Sequence, residues 1–171
     1  MESISPKDRS ALIADFSREA LHLEMRDNYE GDRPWFDRWR AGDQEGVKAD
    51  MRPWCDQVRD GVARGKTYRR LCVVSEPLSE YQRWCHEMND LKVKAGEDLR
   101  WVPRRLVSAV ALPGNDFWLF DSEIVTFGLF DGNDMRTDIL LSRDPDVVRF
   151  CLDTFARLWD LSIPHHEYPL S

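Results

Sequence analysis

The chain has 171 residues, with 24 basic and 31 acidic side chains, a formal net charge of −7, seven tryptophans and 42% hydrophobic residues. That composition excludes a disordered chain and is long enough for a single domain to bury about two-thirds of its unfolded surface. The acidity argues against direct binding of nucleic acid through phosphate neutralisation, which needs a concentrated basic face.

At the start, MESISPKDRS lacks the basic opening and apolar centre of a secretory signal, and no later stretch reaches the ~20 apolar residues of a membrane span. A cytoplasmic protein without membrane contact is expected. Ser5 followed by Pro6 and Asp8 reads as a capped helix start, with Leu12, Ile13 and Phe16 as its apolar stripe. The period then changes to two. Leu21, Leu23 and Met25 alternate with His22, Glu24 and Arg26, the pattern of a strand with one wet face, so His22 is expected to look outward. DRPWFDRWRAG reads as a short helix opened by Pro34 and closed by Gly42, and RPWCDQVRDGVARG as another, opened by Pro53 and closed by Gly65. If the first helix served docking rather than packing, Trp35, Phe36 and Trp39 would form an exposed apolar patch.

From Thr67 the pattern is that of an α/β domain. Leu71–Val74 is a continuous apolar run suited to a strand covered on both faces. A helix carrying Tyr81, Cys85 and Met88 leads to DLRWV, a second strand parallel to the first. Further on, FWLF, EIVTFGLF and TDILL are separated by the turn-forming Asp121-Ser122 and Asp131–Asp134, which predicts a three-strand antiparallel meander. Asp144 then caps a helix with Pro145 at its first position. The expected architecture is a single domain, residues 1–171, of mixed α/β class. Residues 1–66 form a mainly helical N-terminal part with one strand, and residues 67–171 an α/β core with one parallel β-α-β unit and the meander.

Net charge divides as −4 over residues 1–60, +4 over 61–105 and −7 over 106–171. The basic middle segment is the one suited to an anion, and the alternating signs are compatible with a homo-oligomer. Ligands of open α/β sheets collect beyond the carboxyl ends of parallel strands. Here that edge gathers Ser75, Glu76 and Ser79 after the first parallel strand and Arg104 and Arg105 after the second, a candidate site for a phosphate or carboxylate.

Catalytic templates are absent: no G-x-S-x-G, P-loop, G-x-G-x-x-G or H-E-x-x-H occurs. Asp116 and Asp121 flank FWLF, but a strand would hold them roughly 17 Å apart at about 3.3 Å per residue, beyond the 5–9.5 Å of paired glycosidase carboxylates. They read as the wet ends of that strand. Cys55, Cys72, Cys85 and Cys151 have no ligand spacing and read as reduced, buried thiols, and HHEY (His165–Tyr168) as a mobile polar end. No metal, cofactor or catalytic residue is assigned. An enzyme of another type would draw its general base from Glu76 or Asp121.

At YRRLCVVSEPLSEYQRW, GEDLRWVPR and DFWLFDSEIVTFGLFD the chain resembles a family of uncharacterised actinobacterial proteins, often encoded beside helix-turn-helix regulators. HLEMRDNY and MRPWCDQVRDG look like its N-terminal signature. The resemblance covers roughly residues 12–160 and implies a regulatory or sensor protein that partners a helix-turn-helix regulator. More remotely, strand–helix–strand followed by a hairpin ending in Asp resembles half of a phospholipase D-type fold. That family's motif is His-x-Lys with an Asp five residues after the Lys. Placing the Asp on Asp121 puts Gly114 at the His and Asp116 at the Lys, so the resemblance implies a copy without phosphodiesterase chemistry.

Overall fold

Chain order and sheet order part company at three junctions. The computed structural model describes residues 1–170. It contains β1 (Glu2–Ser3), α1 (Pro6–Asp15), β2 (Glu19–Glu24), α2 (Arg33–Arg40), α3 (Gln44–Ala63), β3 (Thr67–Val74) and α4 (Glu80–Ala95). There follow β4 (Asp98–Pro103), β5 (Phe117–Phe120), β6 (Ile124–Phe130), β7 (Arg136–Ser142), α5 (Pro145–Asp160) and β8 (Ile163–Pro164). These strands form one eight-stranded mixed sheet in the order β1-β7-β6-β5-β2-β3-β4-β8. β2 lies in its middle, parallel to β3 on one side and antiparallel to β5 on the other. It therefore welds the expected β3–α4–β4 parallel unit to the expected β5–β6–β7 meander.

Because side chains alternate along a strand, each strand divides its residues between two covers. Leu21, Leu23, Leu71, Val73 and Leu119 point to one face, where α5 seats Val148, Cys151, Phe155 and Leu158. Ala20, Tyr68, Trp118 and Phe120 point to the other, against Phe16 beyond α1 and Cys55 and Val58 of α3. Both faces of β2 are thus covered, and His22 does not look outward: its side chain is 13% exposed and its ring stacks on Trp118 at 3.9 Å.

The caps explain most helix boundaries. Ser5 and Asp8 form a reciprocal capping box at α1, Ser79 caps α4 and Asp144 caps α5. The expected start at Pro53 is corrected: α3 is one 20-residue helix capped by Asp43, whose side chain accepts the Gly46 N–H, and Pro53 lies inside it. Proline forfeits one internal hydrogen bond there, and the helix is carried through by burial of Val47, Cys55 and Val58. Nor is there an apolar patch on α2, since Phe36 is 5% exposed and packs on Tyr81 and Trp84, leaving only Trp35 largely open. The C-terminal histidines are not a mobile end either. His165 is buried; Trp101 Nε1 donates to its Nδ1 at 2.9 Å, so the proton sits on Nε2 and is given to Asp90 at 2.9 Å.

Asp121 and Ser122, both at positive φ (53° and 62°), make the β5–β6 turn, closed by the Glu123 N–H to the Phe120 carbonyl. The Asp121 carboxylate accepts the N–H groups of Ser17, Arg18 and Glu19 at 2.7, 2.7 and 3.0 Å, tying the entry of β2 to the hairpin. Replacing it with Ala removes three charge-assisted bonds and the short polar side chain that eases left-handed backbone, so Asp121→Ala should lose about 2–3 kcal/mol of unfolding free energy. Asp121→Asn, which tolerates the turn and keeps one acceptor, should lose less. Urea denaturation of the three proteins checks the order.

Candidate ligand cavity

On the helix-covered face, parallel register sets His22 beside Arg70 and Glu24 beside Cys72. Arg70 is 5% exposed and is held between two carboxylates: its Nε donates to Glu97 at 2.6 Å and its Nη1 donates to Glu24. Glu97 also accepts Trp54 Nε1–H at 3.1 Å, and Glu24 accepts the Cys72 thiol at 3.3 Å. Burial would push Glu24 up, but Arg70 more than offsets it and holds the carboxyl at about 2. Burial pulls the Arg70 guanidinium down, and Glu24 and Glu97 outweigh it and keep it charged.

His22 is the opposite case. Burial first, and Arg70 second, push its pKa well below the ordinary value, so the imidazole is neutral at physiological pH. Its Nδ1 lies 3.5 Å from Glu24 Oε1 without making a hydrogen bond. Asp116, at the entry of β5, is 6% exposed rather than wet; it accepts the Met25 N–H at 2.8 Å and the Tyr29 hydroxyl. Burial lifts this carboxyl to about 6. Asp32, raised by burial as well, accepts the Tyr81 hydroxyl at 2.7 Å.

These groups line a cavity of about 600 Å³ between the sheet and the helices, roofed by α4 through Gln82, Asn89 and Lys92. Its cations differ in how they are matched. Arg26 pairs with Asp134, and Arg70 with its two glutamates. Arg9, Lys92 and Arg136 have no acidic partner among the described residues, and Arg9 Nε is enclosed with no acceptor. Burial, then the neighbouring Arg136, lower the Arg9 guanidinium to about 10. Two further enclosed atoms on the cavity wall lack partners, His22 Nδ1 and Trp84 Nε1.

The five residues predicted for the strand edge lie outside this cavity, and only Ser75 with Arg104 and Glu76 with Arg105 pair among themselves. Ser75 donates to Asp27 at 2.6 Å, and Arg104 Nε donates to Ser75 Oγ at 3.0 Å while its Nη2 donates to the Met25 and Val73 carbonyls at 2.5 and 3.2 Å. Arg105 donates to Glu76 at 3.0 Å, Tyr168 donates to the same carboxylate at 3.0 Å, and Ser79 accepts the Gln82 N–H as the α4 cap. Their bonding capacity is largely taken by one another and by the backbone. Asp121 lies at the opposite edge of the sheet, occupied by three N–H groups, while Asp116 sits at the carboxyl edge beside Met25. Among the described residues no cluster of three His, Cys, Asp or Glu side chains could hold a metal, and no helix is long and apolar enough to cross a membrane.

An open mixed sheet with helices on both faces is the fold of the phospholipase D family. The chain is similar to Nuc, a phospholipase D family member from Salmonella typhimurium, with 11% identity, a TM-score of 0.56 and coverage of 94% of this chain and 93% of that one. It is also similar to NucT from Helicobacter pylori, with 8% identity, a TM-score of 0.52 and coverage of 95% and 96%. By sequence the chain belongs to the family described as Domain of unknown function (DUF6879), which it matches over residues 7–169. No curated protein matches it.

Two outcomes follow from the buried charges. Glu97→Ala leaves the buried Arg70 with one of its two carboxylates and should cost about 3–5 kcal/mol in denaturant unfolding. Asp116 has its folded pKa raised from 3.8 to about 6, so its contribution to stability is complete below pH 3.8 and is lost as pH rises through 6. Asp116→Asn, which cannot ionise, should gain on the native protein by on the order of 3 kcal/mol between pH 4 and pH 7.5. Parallel urea titrations at the two pH values measure it; a constant difference would refute the assignment.

Proposed function

We propose that this protein is a non-enzymatic sensor that binds a small anionic ligand in the sheet-face cavity and acts with a helix-turn-helix DNA-binding regulator. The observation that carries the ligand half is the presence of Arg9, Lys92 and Arg136 on the wall of an enclosed cavity with no acid to match them. Arg9 and Lys92 are partly withdrawn from water and gain from a counter-charge, which a bound anion supplies, and Arg136 adds a third positive charge at the exposed mouth. The partner half is supported by the likeness of residues 12–160 to proteins encoded beside such regulators, and by the acidity of the chain, which leaves DNA contact to the partner. The absence of an enzymatic role is supported by Gly114 and Asp116 standing where a phospholipase D motif would have its nucleophile and its cation.

A second reading, a phosphodiesterase-like hydrolase, is favoured by the likeness to two phospholipase D-type proteins and by the neutral His22 on the cavity wall beside Glu24. The two readings separate cleanly. A sensor should bind an anion from a panel of phosphates and carboxylates by calorimetry without turning over a phosphodiester. Arg9→Glu/Arg136→Glu should weaken binding at least tenfold, about 1.4 kcal/mol, while Arg105→Glu at the strand edge leaves it unchanged. The protein should also co-purify with its regulator and alter that regulator's gel shift. Hydrolysis of a phosphodiester that disappears in His22→Ala, with the fold intact, would instead establish the enzyme.

A further inference from the structure

We infer that the anion taken by the cavity is a nucleoside phosphate, with its base at the α4 wall and its phosphate at the β7 mouth. The inference rests on the reading of this cavity as an anion site and adds what the rest of the ligand must be. A simple anion would satisfy the cations and leave the other wall unmatched. Asn89 on α4 is 4% exposed and lines the cavity, yet its amide makes no hydrogen bond within the described protein. Trp84, also 4% exposed, holds its indole N–H enclosed and unpaired. An amide offering one donor face and one acceptor face beside a lone donor is the complement of a heterocyclic base edge, and Asn is a standard reader of such edges. Trp54, half-buried, lines the same cavity and supplies flat apolar surface for the ring, whereas Trp118 beside it is already stacked on His22.

Of the three unmatched cations, Lys92 shares α4 with Asn89, whereas Arg9 and Arg136 come from other elements of the wall. Arg136 belongs to β7 and is exposed, and Arg9, close enough to be depressed by the Arg136 charge, comes from α1. The cavity extends under six adjacent strands, from Arg136 on β7 to Trp101 on β4, which is on the order of 24 Å at about 4.8 Å per strand. A ligand that uses both ends must carry different chemistry at each. Asp116 and Asp32 also line it, hydroxyl-bonded carboxylates that would repel a phosphate and accept a sugar hydroxyl. The volume of about 600 Å³ lies within the roughly 300–1,000 Å³ range of sites for organic ligands and is far larger than inorganic phosphate needs.

The test is calorimetry on the whole chain with four nucleoside 5′-monophosphates, the matching nucleosides, inorganic phosphate, citrate and a short single-stranded oligonucleotide. At least one monophosphate should bind at least tenfold tighter than its nucleoside, inorganic phosphate and citrate. Arg136→Ala, an exposed change that should not disturb folding, should abolish the advantage of the nucleotide over the nucleoside. Asn89→Ala should weaken the preferred nucleotide about tenfold and flatten the preference among bases. Citrate or phosphate binding as tightly as every nucleotide, with Asn89→Ala silent, would overturn the nucleotide and leave the anion site standing. Tighter binding of the oligonucleotide would also overturn it, in favour of a strand end. If no anion binds at all, both readings fall together.

Discussion

Arg70, buried between Glu24 and Glu97, is the interaction on which the rest of the structure turns. Three charges in the centre of a sheet face cannot be covered as the opposite face is covered, by interdigitated aliphatic side chains. Each must keep hydrogen-bonding partners, and each partner must be held in place. Trp54 from α3 and Cys72 from β3 are drawn to the triad, whose Glu97 follows the end of α4, so the helices are positioned by polar contacts as well as by burial. The result is two unlike faces. Against α5 the sheet is dry and close-packed, while against α3 and α4 it stands off and encloses polar space.

That space owes its place to β2. Were the parallel unit and the meander separate sheets, Arg70 and Asp116 would belong to different walls. With β2 between β3 and β5, His22 and Glu24 bridge them, and the polar side chains of four neighbouring strands open into one cavity. The Asp121 carboxylate holds the start of β2 and the N–H of Met25 bonds Asp116 at its end, so the seam is tied at both ends by an aspartate of β5's borders. The two acids that invite comparison with a catalytic pair are thus structural at opposite edges of the sheet.

The same sheet displays its basic residues in two states. At the carboxyl edge Arg104 donates to a hydroxyl and to carbonyl groups at the strand termini, and Arg105 pairs through Nε with the Glu76 carboxylate. Inside the cavity Arg9, Lys92 and Arg136 face space instead. Matched cations stabilise an edge, whereas unmatched ones are available to a ligand, and this difference, not the number of arginines, separates the two places. The fold likeness to phospholipase D-type proteins at 11% and 8% identity is compatible with either chemistry, because a fold hosts many sites.

Local rules made much of the architecture legible from the amino-acid sequence alone. Ser5-Pro6, Ser79 and Asp144-Pro145 announce helix starts, Asp121-Ser122 and Asp131–Asp134 announce turns, and the apolar run Leu71–Val74 announces a strand covered on both faces; each signal lies within a few residues of the structure it specifies. Where the reading failed, the deciding partner was distant in the chain. Pro53 stops a helix unless tertiary burial carries the helix through it, and alternation in β2 marks His22 and Glu24 as polar without saying whether water or Arg70, 46 residues beyond Glu24, will face them. Asp116 reads as a wet end of its strand for the same reason. Only the folded chain decided that the polar face of β2 is an interior, because an ion triad and an enclosed cavity are made by side chains that meet across strands and helices, and no short-range pattern records such a meeting.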